Sequence, residues 1–273
     1  MATSIEEIQR WAKLLRYDVC RMISLANSGH PGGSLSPAEI VAVLYFREMN
    51  IDPARPEWAD RDRFILSKGH GCPVLYAALA RRGYFPLETL GTLRRSGSIL
   101  QGHPEIHTPG VDMTSGCLGQ GLSAGAGMAT VAKMDGKGFR VYVILGCGEM
   151  NEGQVYEEMM TAYHYKLDNL TVFLDYNRLQ FDGSVEEVLD PGEMSERLRG
   201  FNWHVIEING HNMRQVLEAL DTADEIHDRP TIIVARTTKG KGVSFMENDS
   251  KWHGTPPDDD QYARAVAELK GEA

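Results

Sequence analysis

The chain has 273 residues, 42% of them hydrophobic, and a formal net charge of −10. Its length suits a single α/β domain, expected over residues 1–273, and the acidic balance argues against nucleic acid as a partner. No apolar run approaches the roughly 20 residues that span a bilayer, and the acidic, amphipathic start from Met1 to Trp11 is unlike a secretory leader, so a cytoplasmic protein without membrane attachment is expected.

From the N-terminus, Ile8, Trp11, Leu15, Val19, Met22 and Ala26 recur at helical steps behind a capping box of Ser4 and Glu7. Ser36, Pro37 and Glu39 repeat the start signal before the apolar stretch from Ile40 to Phe46, which leaves Gly29 to Leu35 as a loop between two helix ends. Further on, Arg63 to Ser67, Arg140 to Leu145, Leu170 to Asp175, Trp203 to Ile208 and Thr231 to Ala235 are short apolar runs separated by segments of helical pattern. Continuous apolar strands alternating with helices predict a mainly parallel sheet with helices on both faces. In such a fold, ligands bind beyond the carboxyl ends of the strands. The closing helix is expected from Gln261 to Leu269, followed by the polar end Gly271 to Ala273, which suits a natural terminus. The cysteines at 20, 72, 117 and 147 show neither zinc nor disulfide spacing; Cys20, Cys72 and Cys117 read as small buried hydrophobes.

The strongest local signal runs from the strand Val141 to Leu145 through Gly146-Cys147-Gly148-Glu149 to Glu152-Gly153, a helix, the strand Leu170 to Asp175, and Asn177. A glycine turn at a helix N-terminus lets backbone N–H groups face a phosphate, and Asn177 ends the neighbouring strand within reach of the same spot. Gly119-Gln-Gly121 superficially fits a dinucleotide fingerprint, but no strand precedes it, which argues against a nicotinamide site. Histidines are more often structural than catalytic, and that reading is applied to His107, His164, His204, His211 and His227. His30, His70, His103 and His253 differ, because each adjoins glycine in a loop. Imidazole can both donate to and accept from ligand oxygens near neutral pH.

The segment around Cys147 resembles the thiamine diphosphate fingerprint, Gly-Asp-Gly followed one helix and one strand later by Asn; here 28 residues separate Gly148 from Asn177. The blocks Ser28-Gly-His-Pro-Gly32, Leu66-Ser-Lys-Gly-His-Gly71, Gly102-His-Pro-Glu105, Thr114-Ser-Gly-Cys-Leu-Gly-Gln-Gly121, Thr238-Lys-Gly-Lys-Gly242 and Trp252-His-Gly254 are similar to transketolase in order and spacing. The resemblance implies the thiamine diphosphate-binding fold and transfer of a two-carbon ketol unit from a ketose or its phosphate to an aldose. It further implies catalytic roles for His30, His103 and His253, with cofactor contacts from His70, Gly116, Leu118, Gly148, Glu149, Glu152 and Asn177; Glu152 would also face a partner. A divalent cation such as magnesium would be held by Asn177, the Leu179 carbonyl and the residue at position 147. The family's activating glutamate belongs to a second domain that this chain lacks. A C-terminal partner subunit carrying it is therefore expected, in a heterotetramer with two copies of each chain.

The departure from the pattern is Cys147, where the family places the metal-binding Asp. Magnesium prefers oxygen ligands over thiolate. Glu149 could serve as a replacement carboxylate; alternatively Asn177, the Leu179 carbonyl, phosphate oxygens and an extra water could keep the cation; or the cofactor could be lost. The intact histidine and glycine blocks favour retained function. The rivals are a 2-oxo acid dehydrogenase or deoxyxylulose-phosphate synthase component, which share the glycine turn, and a non-catalytic regulatory subunit, motivated by Cys147 alone.

Overall fold

A computed structural model describes residues 3–271. Glu272 and Ala273, part of the polar end expected from the sequence, lie outside the described residues. The five expected strands are β1 (Arg63–Leu66), β2 (Val141–Gly146), β3 (Leu170–Tyr176), β4 (His204–Asn209) and β5 (Thr231–Arg236), in one sheet of order β1-β2-β3-β5-β4. Every neighbouring pair is parallel.

Their apolar runs are continuous because both faces of the sheet are covered. Phe64, Leu66, Tyr142, Ile144, Phe173, Ile233 and Ala235 pack into one core, against α1 (Ile5–Ala26), α3 (Ala38–Val43), α4 (Cys72–Arg82) and α9 (Met213–Asp224). The alternate residues Ile65, Val143, Leu145, Val172, Leu174, Ile232 and Val234 pack into the other, against α5 (Gln120–Met134), α6 (Gly153–His164) and α8 (Met194–Gly200). Successive side chains in a strand point to opposite faces, so a two-sided sheet needs apolar residues at both parities. Two short or peripheral helices complete the fold, α7 (Val185–Leu189) and α10 (Asp259–Lys270). Both the opening helix and α10 carry reciprocal capping boxes, Ser4 with Glu7 and Asp258 with Gln261. Among the described residues no helix is long and apolar enough to cross a membrane.

Two expectations are corrected. The segment from Gly29 to Leu35 is not simply a loop: Pro31–Leu35 forms a short buried helix, α2. Pro31 presets its first residue, and the Ser34 hydroxyl donates to the His30 carbonyl at 2.6 Å. Ser36 does not start the next helix, which begins at Ala38; its hydroxyl donates instead to the Asp175 carboxylate at 2.6 Å. Cys117 is the second correction, for it is exposed while Cys20 and Cys72 are buried. The loop before α5 turns its backbone inward, so closely that a Cβ on Gly69 would stand 2.8 Å from the Gly116 amide nitrogen. The side chain at position 117 is left facing solvent.

Candidate active site

The residues that follow β1, β2, β3 and β5 meet at one end of the sheet, around a cavity of about 430 Å³. His30, His70, His253, Gly116, Leu118, Cys147, Gly148, Glu149, Glu152, Asn177 and Leu179 all line it. His103 does not; it is exposed at the rim, its ring against Gly116, whose Cβ, if present, would lie 3.0 Å from the imidazole.

The floor is a buried ion pair. Lys68, just beyond β1, meets Asp175 near the end of β3, and both side chains are almost fully excluded from water. The Asp175 carboxylate also accepts from Ser36, from the Asn177 amide at 3.0 Å and from the Thr237 hydroxyl. Burial opposes its ionisation, but Lys68 and these donors outweigh that cost and hold its pKa below the usual carboxylate value. This one carboxylate thereby joins the strand ends and sets the position of Asn177.

Three imidazoles form the wall. The rings of His30, His70 and His253 lie 5.1–5.7 Å apart, centre to centre. Burial first, then neighbouring cations, lowers His30 to about 4 and His253 to about 3, and drives His70 well below the usual value. All three are neutral at pH 7. Their tautomers follow from their partners: the Lys239 ammonium has only protons to give, so His253 Nδ1, 2.7 Å away, accepts and Nε2 carries the hydrogen. The same logic applies to His30, whose Nδ1 faces the Arg94 guanidinium at 3.5 Å. Arg94 adopts a left-handed backbone (φ 59°) and is anchored on the Ser28 hydroxyl at 2.8 Å.

Lys239 sits on the loop after β5, which is tied down from behind. Arg16 grips Glu39 through two bonds of 2.8 and 2.6 Å, and Glu39 accepts from His211 Nδ1 at 3.0 Å. His211 Nε2 in turn accepts the Thr238 N–H at 2.8 Å. His211 thus has the structural role expected of it. Closer still, a Cβ on Gly32 would stand 2.9 Å from the Trp252 carbonyl and 3.0 Å from Lys239 Cγ, so the chain needs glycine there.

At the glycine turn the Cys147 thiol is buried and neutral: burial, then the nearby Asp175 carboxylate, pushes it up to about 12. Sγ donates to the Asp175 carbonyl at 3.3 Å and accepts from the Arg178 N–H at 3.1 Å. The Glu149 carboxylate is engaged, accepting from the Ser67 hydroxyl, the Gly119 N–H at 2.8 Å and the Gly146 N–H at 2.9 Å. Among the described residues no group of three His, Cys, Asp or Glu side chains is arranged to hold a metal ion.

Five further residues emerge only from the structure: Lys68, Lys239, Arg94, Gln180 and Phe181. Lys68 and Lys239 stand inside the glycine-rich blocks already singled out, which was a usable signal, whereas nothing local marks Arg94. Gln180 and Phe181 follow Asn177 and line the cavity; Phe181 meets His253 edge to face at 5.2 Å.

The sequence profile described as transketolase, thiamine diphosphate binding domain, matches residues 8–271. The chain is 44% identical to SqwG, a subunit of the 6-deoxy-6-sulfo-D-fructose transketolase of Clostridium sp. (strain MSTE9), over 97% of both chains. It is 41% identical to one of the subunits of the apulose-4-phosphate transketolase of Phocaeicola vulgatus, over 97% of this chain and 94% of that one. Among solved structures, the transketolase of Campylobacter jejuni superposes with a TM-score of 0.93 at 33% identity, covering 98% of this chain but 43% of that enzyme. The chain belongs to the transketolase family, as its thiamine diphosphate-binding domain.

Proposed function

We propose that this chain and a second subunit together transfer a two-carbon ketol unit from a ketose to an aldose, with free sugars or sugar phosphates as substrates. The observation that carries the reading is the wall of three neutral imidazoles facing a cavity that ends in a glycine turn and Asn177. Thiamine diphosphate, when bound, supplies the electron sink for breaking the carbon–carbon bond beside a carbonyl. The chain's own residues hold and move protons around that chemistry. His30 and His253, with Nδ1 occupied, present Nε2–H to substrate oxygens. His103 is not tied in this way by any side chain among the described residues, and as the imidazole at the rim it is suited to take the hydroxyl proton of the donor sugar. Gly148 and Asn177 would face the diphosphate, Gly116 and Leu118 the aminopyrimidine, and Glu152 the partner.

The magnesium or other divalent cation that the family resemblance implies does not fit the donors present. Asn177 Oδ1 and the Leu179 carbonyl are its only oxygen ligands in the expected set, and Cys147 adds a buried neutral thiol in place of a carboxylate. No step is assigned to a cation. The partner reading draws on the relatives named as subunits, which this chain spans almost entirely, and on the C. jejuni enzyme, of which it spans 43%. We infer a heterotetramer of two copies of each chain, and a cytoplasmic location consistent with four free thiols. The test is an assay of the assembled subunits with thiamine diphosphate, a panel of ketoses and aldose acceptors, and 2-oxo acids. Ketol transfer supports the reading, and turnover of 2-oxo acids alone overturns it.

A further inference from the structure

The glycine turn carries a thiol where a bridging cation needs an anionic oxygen, and the hydrogen-bonding capacity of that thiol is already used inside the chain. The Glu149 carboxylate is already held by three donors. The oxygens that remain are engaged too: Asn177 Oδ1 accepts from the Leu179 N–H at 3.1 Å, and the Leu179 carbonyl faces the Lys239 ammonium at 3.1 Å. A hard cation would find two neutral oxygens and a positive neighbour.

Donors converge on the same corner. Lys239 Nζ also reaches the Gln180 carbonyl at 3.2 Å, and Gln180 Nε2 is buried without a hydrogen-bond partner in the cavity wall. The Gln180 side chain rests on Gly148, 3.1 Å from the place a Cβ would take. A buried amide donor without a partner is costly unless a ligand satisfies it. Charge accounting points the same way. A carboxylate plus a divalent cation presents one net positive charge to a diphosphate; a neutral thiol plus the Lys239 ammonium presents the same. With a thiol at position 147 and the Glu149 carboxylate engaged by three donors, no free anion is left for a cation to bridge to the phosphate.

We propose that this chain grips the diphosphate of its cofactor without a divalent cation, Lys239 supplying the positive charge and the Gln180 side-chain amide the free donor at that corner. The inference rests on the thiamine diphosphate reading. The test takes the full chain assembled with its partner subunit, strips it with EDTA, and titrates it with thiamine diphosphate by calorimetry, in EDTA and in magnesium. The Kd is expected to differ by less than about threefold between the two media. Gln180→Leu should weaken binding by about tenfold in both. Cys147→Asp should create metal dependence, with affinity about tenfold or more lower in EDTA and restored by magnesium. Wild-type binding that weakens about tenfold or more in EDTA overturns the inference and leaves the cofactor reading standing. Unchanged affinity in Gln180→Leu also counts against it. Absence of binding in either medium sinks the cofactor reading and this inference with it. Should Cys147→Asp fail to fold, the wild-type comparison and Gln180→Leu decide the matter.

Discussion

Lys68 and Asp175 are two charges placed where water does not reach, and neither is tolerable alone. Lys68→Met would leave a buried carboxylate with only neutral donors, and a loss of about 3–5 kcal/mol is expected in urea unfolding. The double variant Lys68→Met/Asp175→Leu should lose less than the single one, because it removes both desolvation costs. The histidines are buried in their neutral form instead, and they too favour the folded chain less as pH falls. His30 and His253 bind protons near the ordinary value of 6.5 when unfolded but only near about 4 and about 3 when folded. Between those limits the unfolded chain holds more protons, so stability should fall as pH drops from about 6.5 toward 4. His30→Gln should flatten that limb of a plot of urea midpoint against pH. On the proposed function, His103 at the rim takes the donor sugar's proton. In the assembled enzyme, His103→Ala should lower turnover by about a hundredfold while changing cofactor affinity little. Equal losses in both would assign it to binding instead.

At the scale of elements, the sheet was readable because each strand is apolar on both faces over a length that only a covered parallel sheet explains. The helix caps were readable because Ser4 and Glu7 satisfy each other's backbone locally. What escaped was decided by distant contacts. Pro31–Leu35 is helical because Gly32 lets it press against the Trp252 carbonyl and Lys239, over two hundred positions away in the chain. Ser36 looked like a cap and is a ligand of Asp175. Lys68 and Lys239 lay in recognised blocks, but burial of a lysine depends on partners that no local pattern names. Gly32→Ala tests this account: its Cβ would meet a backbone oxygen at 2.9 Å, which cannot move cheaply. A loss of about 1–3 kcal/mol in urea unfolding is expected. Gly127→Ala, exposed on α5 with nothing within 4 Å, should instead gain about 0.5–1 kcal/mol.

For the molecule as a whole, the histidines, the glycine turn and Asn177 were all legible as a site, yet the part of the chemistry that activates the cofactor's pyrimidine needs a carboxylic acid. The cavity wall offers only two carboxylates among the described residues, Glu149 and Glu152. Glu149 is buried and held by three donors, so it cannot be spared. Glu152 stands at the start of α6, packed beside Gly119 on the outer edge of the glycine loop. On the proposed function the partner subunit supplies that acid, as the family resemblance implies, and the dependence should follow mass action. With thiamine diphosphate and saturating sugars, this chain alone should give no ketol transfer above background. Titration with the partner subunit should raise the rate along a saturable curve to a plateau, with the apparent constant reporting assembly. Replacing the partner's activating acid by its amide should abolish the plateau while leaving assembly, followed by analytical ultracentrifugation, intact. Turnover by this chain alone would mean that the acid lies within it, and Glu152 would then be the residue to mutate.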